Sequence, residues 1–283
     1  MQTVLRSAIT EVKIKTDGPF ILIGEKINPT GRKKLAEALQ AHYYDYVRDL
    51  AVKQVEFGAD VLDINVGVPG LDDVAAVVDV IKVVTEATKV PLCIDSPNPR
   101  VLEAALKVAP GKVLVNSTNG EEKTLSAVLP IVKEYGAAVI GLTLDDNGIP
   151  NDPEVRLKIA AKIIERATKL GIPLEDIVID PLVMTVGADH LAGANTLKTI
   201  ELIQREFGVN INLGASNVSF GLPDRHTLNQ AFLALAMGAG ASCAITDPIK
   251  LGATIRGADL IRGRDTYSKR YIQYCRAHPV EGK

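Results

Sequence analysis

The sequence predicts an α/β barrel, eight parallel strands each followed by a helix, and three observations carry that prediction. Short apolar runs recur and end in Asp or Asn: Val61-Leu62-Asp63-Ile64-Asn65, Leu92-Cys93-Ile94-Asp95-Ser96, Val113-Leu114-Val115-Asn116-Ser117, Ile177-Val178-Ile179-Asp180-Pro181 and Asn212-Leu213-Gly214-Ala215-Ser216-Asn217. A carboxylate must escape an apolar core, and barrels of this class build their sites where the strands end. Gly58, Gly136, Gly171 and Gly238 each follow an amphipathic segment and precede an apolar run, as a left-handed helix C-cap feeding a strand would. Finally, 283 residues with no composition shift or linker suit one domain over residues 1–283.

The elements follow in order. Val12 and Ile14 alternate with Glu11, Lys13 and Lys15 before Asp17-Gly18-Pro19, so the N-terminal extension 1–19 is expected to hold a short strand capping the barrel's lower end. Barrel strands are expected near 20–24, 61–65, 91–95, 113–116, 138–143, 177–180, 210–215 and 242–246. Helices are expected near 42–56, 73–87, 98–108, 121–135, 153–169, 195–206, 224–237 and 253–276. Eight of each is the (β/α)8 count. A doubly wound sheet would place a glycine-rich phosphate turn after its first strand, and Gly24-Glu25-Lys26-Ile27 is not one.

Composition narrows the function classes. Apolar residues are 47% and charged residues 23%, and the net charge of −2 argues against nucleic acid as a bulk electrostatic partner. Residues 1–16 lack the apolar core of a secretion signal, and no run approaches the roughly 20 apolar residues of a membrane helix, so a cytoplasmic protein without a membrane partner is expected. Cys93, Cys243 and Cys275 lie far apart with no C-x-x-C, which opposes a disulfide framework or a cysteine-held metal. Cys93 shares inward parity with Asp95 and reads as packing. His42, His190, His226 and His278 form no i, i+4 pair, so no protein-bound metal is expected.

If the barrel forms, Glu25, Asn28, Asp63, Asn65, Asp95, Asn116, Asp180 and Asn217 converge on one mouth. This set offers acceptors and amides but almost no cations, unlike a phosphate site. Carboxylates suit a ligand edge rich in N–H donors, such as the 2-amino group and N3–H of a pterin, whose 4-oxo oxygen an amide can serve. Plainer readings compete. Asp95 or Asp180 alone could cap a helix, and Asp145-Asp146-Asn147-Gly148 reads as a turn. Arg32-Lys33-Lys34 reads as a solvated helix start or, less simply, as a contact for a polyanionic tail. Asp189-His190-Leu191-Ala192-Gly193 has the wrong spacing for a cobalamin box and reads as a loop. In a sugar-phosphate barrel, Gly238-Ala239-Gly240-Ala241-Ser242 would be the phosphate nest.

The ordered segments Gly24-Glu25-Lys26-Ile27-Asn28, Leu62-Asp63-Ile64-Asn65-Val66-Gly67, Cys93-Ile94-Asp95-Ser96, Val115-Asn116-Ser117-Thr118, Gly141-Leu142-Thr143, Ile179-Asp180-Pro181-Leu182 and Ser216-Asn217-Val218-Ser219-Phe220-Gly221-Leu222-Pro223-Asp224-Arg225 resemble those of the pterin-binding methyltransferases of corrinoid metabolism. That family includes the methyltetrahydrofolate:corrinoid/iron–sulfur protein methyltransferase, the folate domain of methionine synthase and the folate methyltransferases of demethylating systems. The resemblance implies a pterin-binding barrel of the dihydropteroate synthase type. It implies that Asp95, Asn116 and Asp180 hold the pterin, with Asn217 near N5, Asp63 and Ser216 in the surrounding polar network, and Arg225 beside the ligand. It further implies a tetrahydrofolate or methyltetrahydrofolate substrate, a corrinoid (cobalamin) supplied by a separate corrinoid protein, and a homodimer. The extension Met1 to Pro19 and the loop Pro29-Thr30-Gly31-Arg32 depart from the family pattern. The rival expectations are a dihydropteroate synthase-like enzyme and a non-catalytic folate-binding subunit.

Overall fold

In the computed structural model, which describes residues 1–279, the chain opens with an antiparallel hairpin, β1 (Gln2–Arg6) and β2 (Glu11–Lys15). The sequence suggested only the second strand, because the pairing that defines the first is not visible as alternation. Eight parallel strands follow: β3 (Ile21–Ile27), β4 (Val61–Ile64), β5 (Leu92–Asp95), β6 (Leu114–Asn119), β7 (Ala138–Leu142), β8 (Ile177–Asp180), β9 (Asn210–Ile211) and β10 (Cys243–Thr246). They pair in chain order, and β10 returns beside β3. The last seam is closed by single contacts: Ser242 N–H donates to Ile211 O at 3.0 Å, and Ile245 N–H to Leu213 O at 2.8 Å. This is the predicted barrel.

Around it run α1 (Lys33–Gln40), α2 (Asp45–Glu56), α3 (Asp73–Ala87), α4 (Pro99–Val108), α5 (Glu122–Tyr135), α6 (Pro153–Lys169), α7 (Ala192–Phe207), α8 (Arg225–Ala239), α9 (Pro248–Ile261) and α10 (Lys269–Ala277). Five of them start on side-chain caps from Asp72, Asn98, Asp152, Asp224 and Asp247, three of these with proline just inside, as the unsatisfied first-turn N–H groups favour. Neither Asp95 nor Asp180 caps a helix, so both keep their carboxylates for the barrel mouth. The helix expected over 42–56 is α2, which begins at Asp45; α1 stands before it as a separate helix that the sequence did not mark out, with His42 (φ 53) in the turn between them. The single helix expected over 253–276 is instead two, α9 ending at Ile261 before Gly263 (φ 69) and α10 starting at Lys269 after Tyr267 and Ser268 (both φ 56).

Alternate strand residues face two cores. Those pointing outward pack beneath the helices, whereas Ile21, Ile23, Val61, Cys93, Leu114, Ile140 and Cys243 point into the barrel and meet Leu5 and Ile14 of the hairpin. The hairpin therefore plugs the end at which the strands begin, as its position suggested. Asn210 Nδ2 binds it there, donating to Thr3 Oγ1 and Ile14 O, both at 2.9 Å. Gly111 (φ 83) permits the close approach, since a Cβ would stand 2.3 Å from Arg6 O. Replacing the buried Leu5 by alanine should cost about 2–5 kcal/mol of stability. Denaturant unfolding measures the loss, and folate affinity of the folded protein should be unchanged because the plug is at the opposite end from the mouth.

Candidate active site

The C-terminal ends of the strands surround a cavity of about 500 Å³. Asp63, Asp95, Asn116 and Asp180 reach it from β4, β5, β6 and β8, while Leu142, Leu182, Val183 and Ile245 supply apolar walls for a flat ring. Glu25 from the end of β3, Asn28 from the loop after it, Ser216 and Asn217 from the turn after β9 and Arg225 from the start of α8 complete the lining. Nine of the ten residues singled out from the sequence thus share one cavity. Asn65 stands behind it: its Nδ2 donates to Asp95 Oδ2 at 3.0 Å and its Oδ1 accepts from Gly67 N at 2.8 Å, so its amide orients Asp95.

The carboxylates are held by short networks. Asp95 Oδ2 accepts from Asn65 and, at 3.3 Å, from Asn28, and Asp63 Oδ1 accepts from Asn116 Nδ2 at 3.4 Å. Asp180 Oδ1 accepts from Leu182 N and Oδ2 from Asn212 Nδ2, each at 2.8 Å. Burial pushes the Asp63 carboxyl well above the usual carboxylate range, and the nearby Asp95 charge raises it further. Burial also raises Asp95, against the lowering effect of its bond from Asn65. Asp180 is pushed up to about 6, again by burial first. The cavity therefore contains acids whose charge is costly until a donor-rich ligand arrives.

At the rim, Ser216 Oγ donates to Glu25 Oε2 at 2.8 Å, and Arg225 donates to Ser216 O at 2.7 Å and Ser219 Oγ at 3.1 Å. Asn217 sits in the 3-10 turn Ala215–Ser219 after β9, and its side-chain amide has no hydrogen-bond partner among the described residues. By contrast, the amides of Asn28, Asn65, Asn116 and Asn212 are all committed to carboxylates.

Several neighbours escaped sequence reasoning. Lys33 and Lys34 are solvated, but Arg32 turns into the mouth, with its guanidinium 3.4 Å from Glu25 Oε1, so the simple reading of that basic run holds only for the lysines. Asn212 orients Asp180. Arg156 is only 1% exposed and donates to the carbonyls of Pro150, Pro181 and Leu182, joining the loops after β7 and β8. The supposed phosphate nest at 238–242 joins α8 to the start of β10, at the end of the barrel remote from the cavity. Asp145–Gly148 is a turn, as expected. Among the described residues no group of three or more His, Cys, Asp or Glu side chains could hold a metal, and no helix is long and apolar enough to cross a membrane.

Residues 24–247 match the model of the pterin binding enzyme family, a span that contains every residue of the cavity. The chain belongs to that family. This pterin-binding enzyme is 33% identical over 276 residues to the methylcorrinoid:tetrahydrofolate methyltransferase of Eubacterium limosum, covering 93% of this chain and 100% of that one. It is 32% identical over 258 residues to the methionine synthase of Mycobacterium tuberculosis, covering 87% of this chain but only 22% of that much longer protein. Its fold matches the dihydropteroate synthase of Xanthomonas albilineans bound to 4-aminobenzoic acid, with a TM-score of 0.67 at 21% identity, covering 93% of this chain and 98% of that one. The Yersinia pestis counterpart with a pterine-sulfa conjugate gives a TM-score of 0.68 at 14% identity, covering 93% and 100%.

Proposed function

We propose that this enzyme moves a methyl group between N5 of tetrahydrofolate and the cobalt of a corrinoid carried by a separate protein. The observation that carries the reading is the uncommitted amide of Asn217 at the rim of a cavity whose floor is lined with acceptors. The full-length likeness to a methylcorrinoid:tetrahydrofolate methyltransferase supports it.

In this reading Asp95, Asn116 and Asp180 take the polar edge of the pterin, each charge-assisted bond contributing about 1.5–3 kcal/mol. The apolar walls cover the ring faces and exclude water. The corrinoid supplies a cobalt centre that gives or accepts the methyl group in line with N5. When N5 loses its methyl group, the departing nitrogen needs a proton or a strong hydrogen bond, because an amide-like anion there is a poor leaving group. Asn217 has no labile proton near neutral pH, but its amide can hydrogen-bond N5 as the charge changes. Asp63, whose carboxyl burial and then the Asp95 charge push above the usual range, relays the proton together with water. Ser216 and Arg225 hold the rim around Asn217, with Glu25 fixing Ser216. We further propose that the protein acts in the cytoplasm as a homodimer that presents each mouth to its corrinoid partner.

Mixing the protein with methyltetrahydrofolate and free cob(I)alamin should give methylcobalamin, followed by its absorbance. Tight folate binding without that exchange would instead make it a non-catalytic folate carrier. Condensation of para-aminobenzoate with a pterin pyrophosphate would make it a dihydropteroate synthase, a reaction not expected to occur.

A further inference from the structure

Beside the main cavity lies a smaller annex of about 220 Å³, and Glu25, Arg32, Ser216 and Arg225 line both. Its charge is opposite in character to the floor of the main site. Lys26, Arg32, Arg225 and Lys250 face only two acids, Glu25 and Asp247, and His226 stands among them. Lys26 pairs with Asp247 and Arg32 with Glu25, whereas Arg225 and Lys250 take part in no ion pair among the described residues. Two helices begin here. The first turn of α8 carries Arg225 and His226 and that of α9 carries Lys250, with no acidic residue in either. Asp224 and Asp247 cap these two helices and Asp247 is also taken by Lys26, so the charges of Arg225 and Lys250 are left facing the annex.

We propose that this annex binds the carboxylates of the glutamyl tail of the folate, an inference that rests on the pterin reading of the main cavity. In tetrahydrofolate the tail is attached at C6, the carbon bonded to N5. A pterin with N5 at Asn217 therefore sends its tail out on the side of Ser216 and Arg225, where the two cavities meet. The floor reads the N–H donors of the ring and the annex reads the anionic end, so one ligand satisfies two sites of opposite charge. Additional glutamyl residues add carboxylates and should bind more tightly.

The test is a titration, without any corrinoid, of the intact protein and its Lys250→Ala and Lys250→Glu variants. The ligands are a tail-less 6-methyltetrahydropterin, tetrahydrofolate monoglutamate and its triglutamate. Lys250 is exposed and lies outside the main cavity, so affinity for the tail-less pterin should not change. Affinity for the monoglutamate should fall about two- to fivefold in Lys250→Ala and further in Lys250→Glu, the triglutamate should lose more, and the tail's advantage should shrink as salt rises. Equal affinity of the native protein for tailed and tail-less ligands would overturn the proposal, as would Lys250 variants that bind the monoglutamate and triglutamate as tightly as the native protein does. Failure of all three ligands to bind would instead overturn the pterin reading itself.

Discussion

Replacing Asn217 by alanine is expected to lower the rate of methyl exchange by roughly 100- to 1000-fold, the range found when one preorganised donor to a developing charge is removed. The same change should weaken tetrahydrofolate binding by no more than about tenfold, because a neutral hydrogen bond in the ground state contributes about 0.5–1.5 kcal/mol. The asymmetry follows from where the residue sits. Its side chain is exposed and hydrogen-bonds to no other among the described residues, so its loss strands no protein partner and creates no internal cavity. Stopped-flow exchange with cob(I)alamin and an equilibrium titration with tetrahydrofolate separate the two effects. Equal losses in both would make Asn217 a binding residue only, and an unchanged rate would remove it from the mechanism.

The strand-end acids were legible because burial leaves so few places for a charge in an apolar strand: Asp63, Asp95 and Asp180 could face only the mouth or a helix cap, and Asp72 and Asn98 cap the helices after the first two while α7, after Asp180, starts at Leu191 with no side-chain cap. Helix ends were legible where glycine marks them, as at Gly136 and Gly171, although Gly238 lies inside α8 and it is Gly240 that ends that helix. They were illegible at His42, Tyr267 and Ser268, residues whose side chains give no sign of a left-handed backbone. Strand β3 runs on to Ile27, three residues past its expected end, where the side chain of Gln54 accepts from Lys26 N at 2.8 Å. That partner lies 28 residues away and leaves no local trace. Arg32 was obscured by the two lysines beside it. Arg156 reads as an ordinary basic residue on an amphipathic helix, and only the convergence of two loops on its guanidinium gives it a buried role. Polar residues at an expected strand end can be read from the chain, Asn65 among them although it acts through Asp95, whereas Asn212, inside its expected strand, and Arg156, on a helix, cannot.

Asp180→Asn should separate stability from binding, and with opposite signs. Burial raises the folded-state pKa of Asp180 to about 6 from an ordinary 3.8, so between those values the folded protein keeps a proton that the unfolded chain has lost. Stability from this group is present below pH 4 and falls as pH rises to about 6, by up to ~3 kcal/mol. Asparagine removes that cost, provided Asn212 turns its amide to offer oxygen where it now offers Nδ2. At pH 7.5 the variant should therefore unfold at higher denaturant than the native protein. Folate binding should move the other way, since the N–H donors of the pterin stabilise the ionised carboxylate that the empty site disfavours. Losing one charge-assisted contact costs about 1.5–3 kcal/mol, or roughly a 10- to 150-fold weaker Kd. Titrations from pH 5 to 8 should show native affinity rising as pH approaches 6, by about tenfold per unit for this one group, and the variant's curve should be shallower by one proton. A variant that binds as tightly as the native protein, with the same pH dependence, would place the pterin edge away from Asp180.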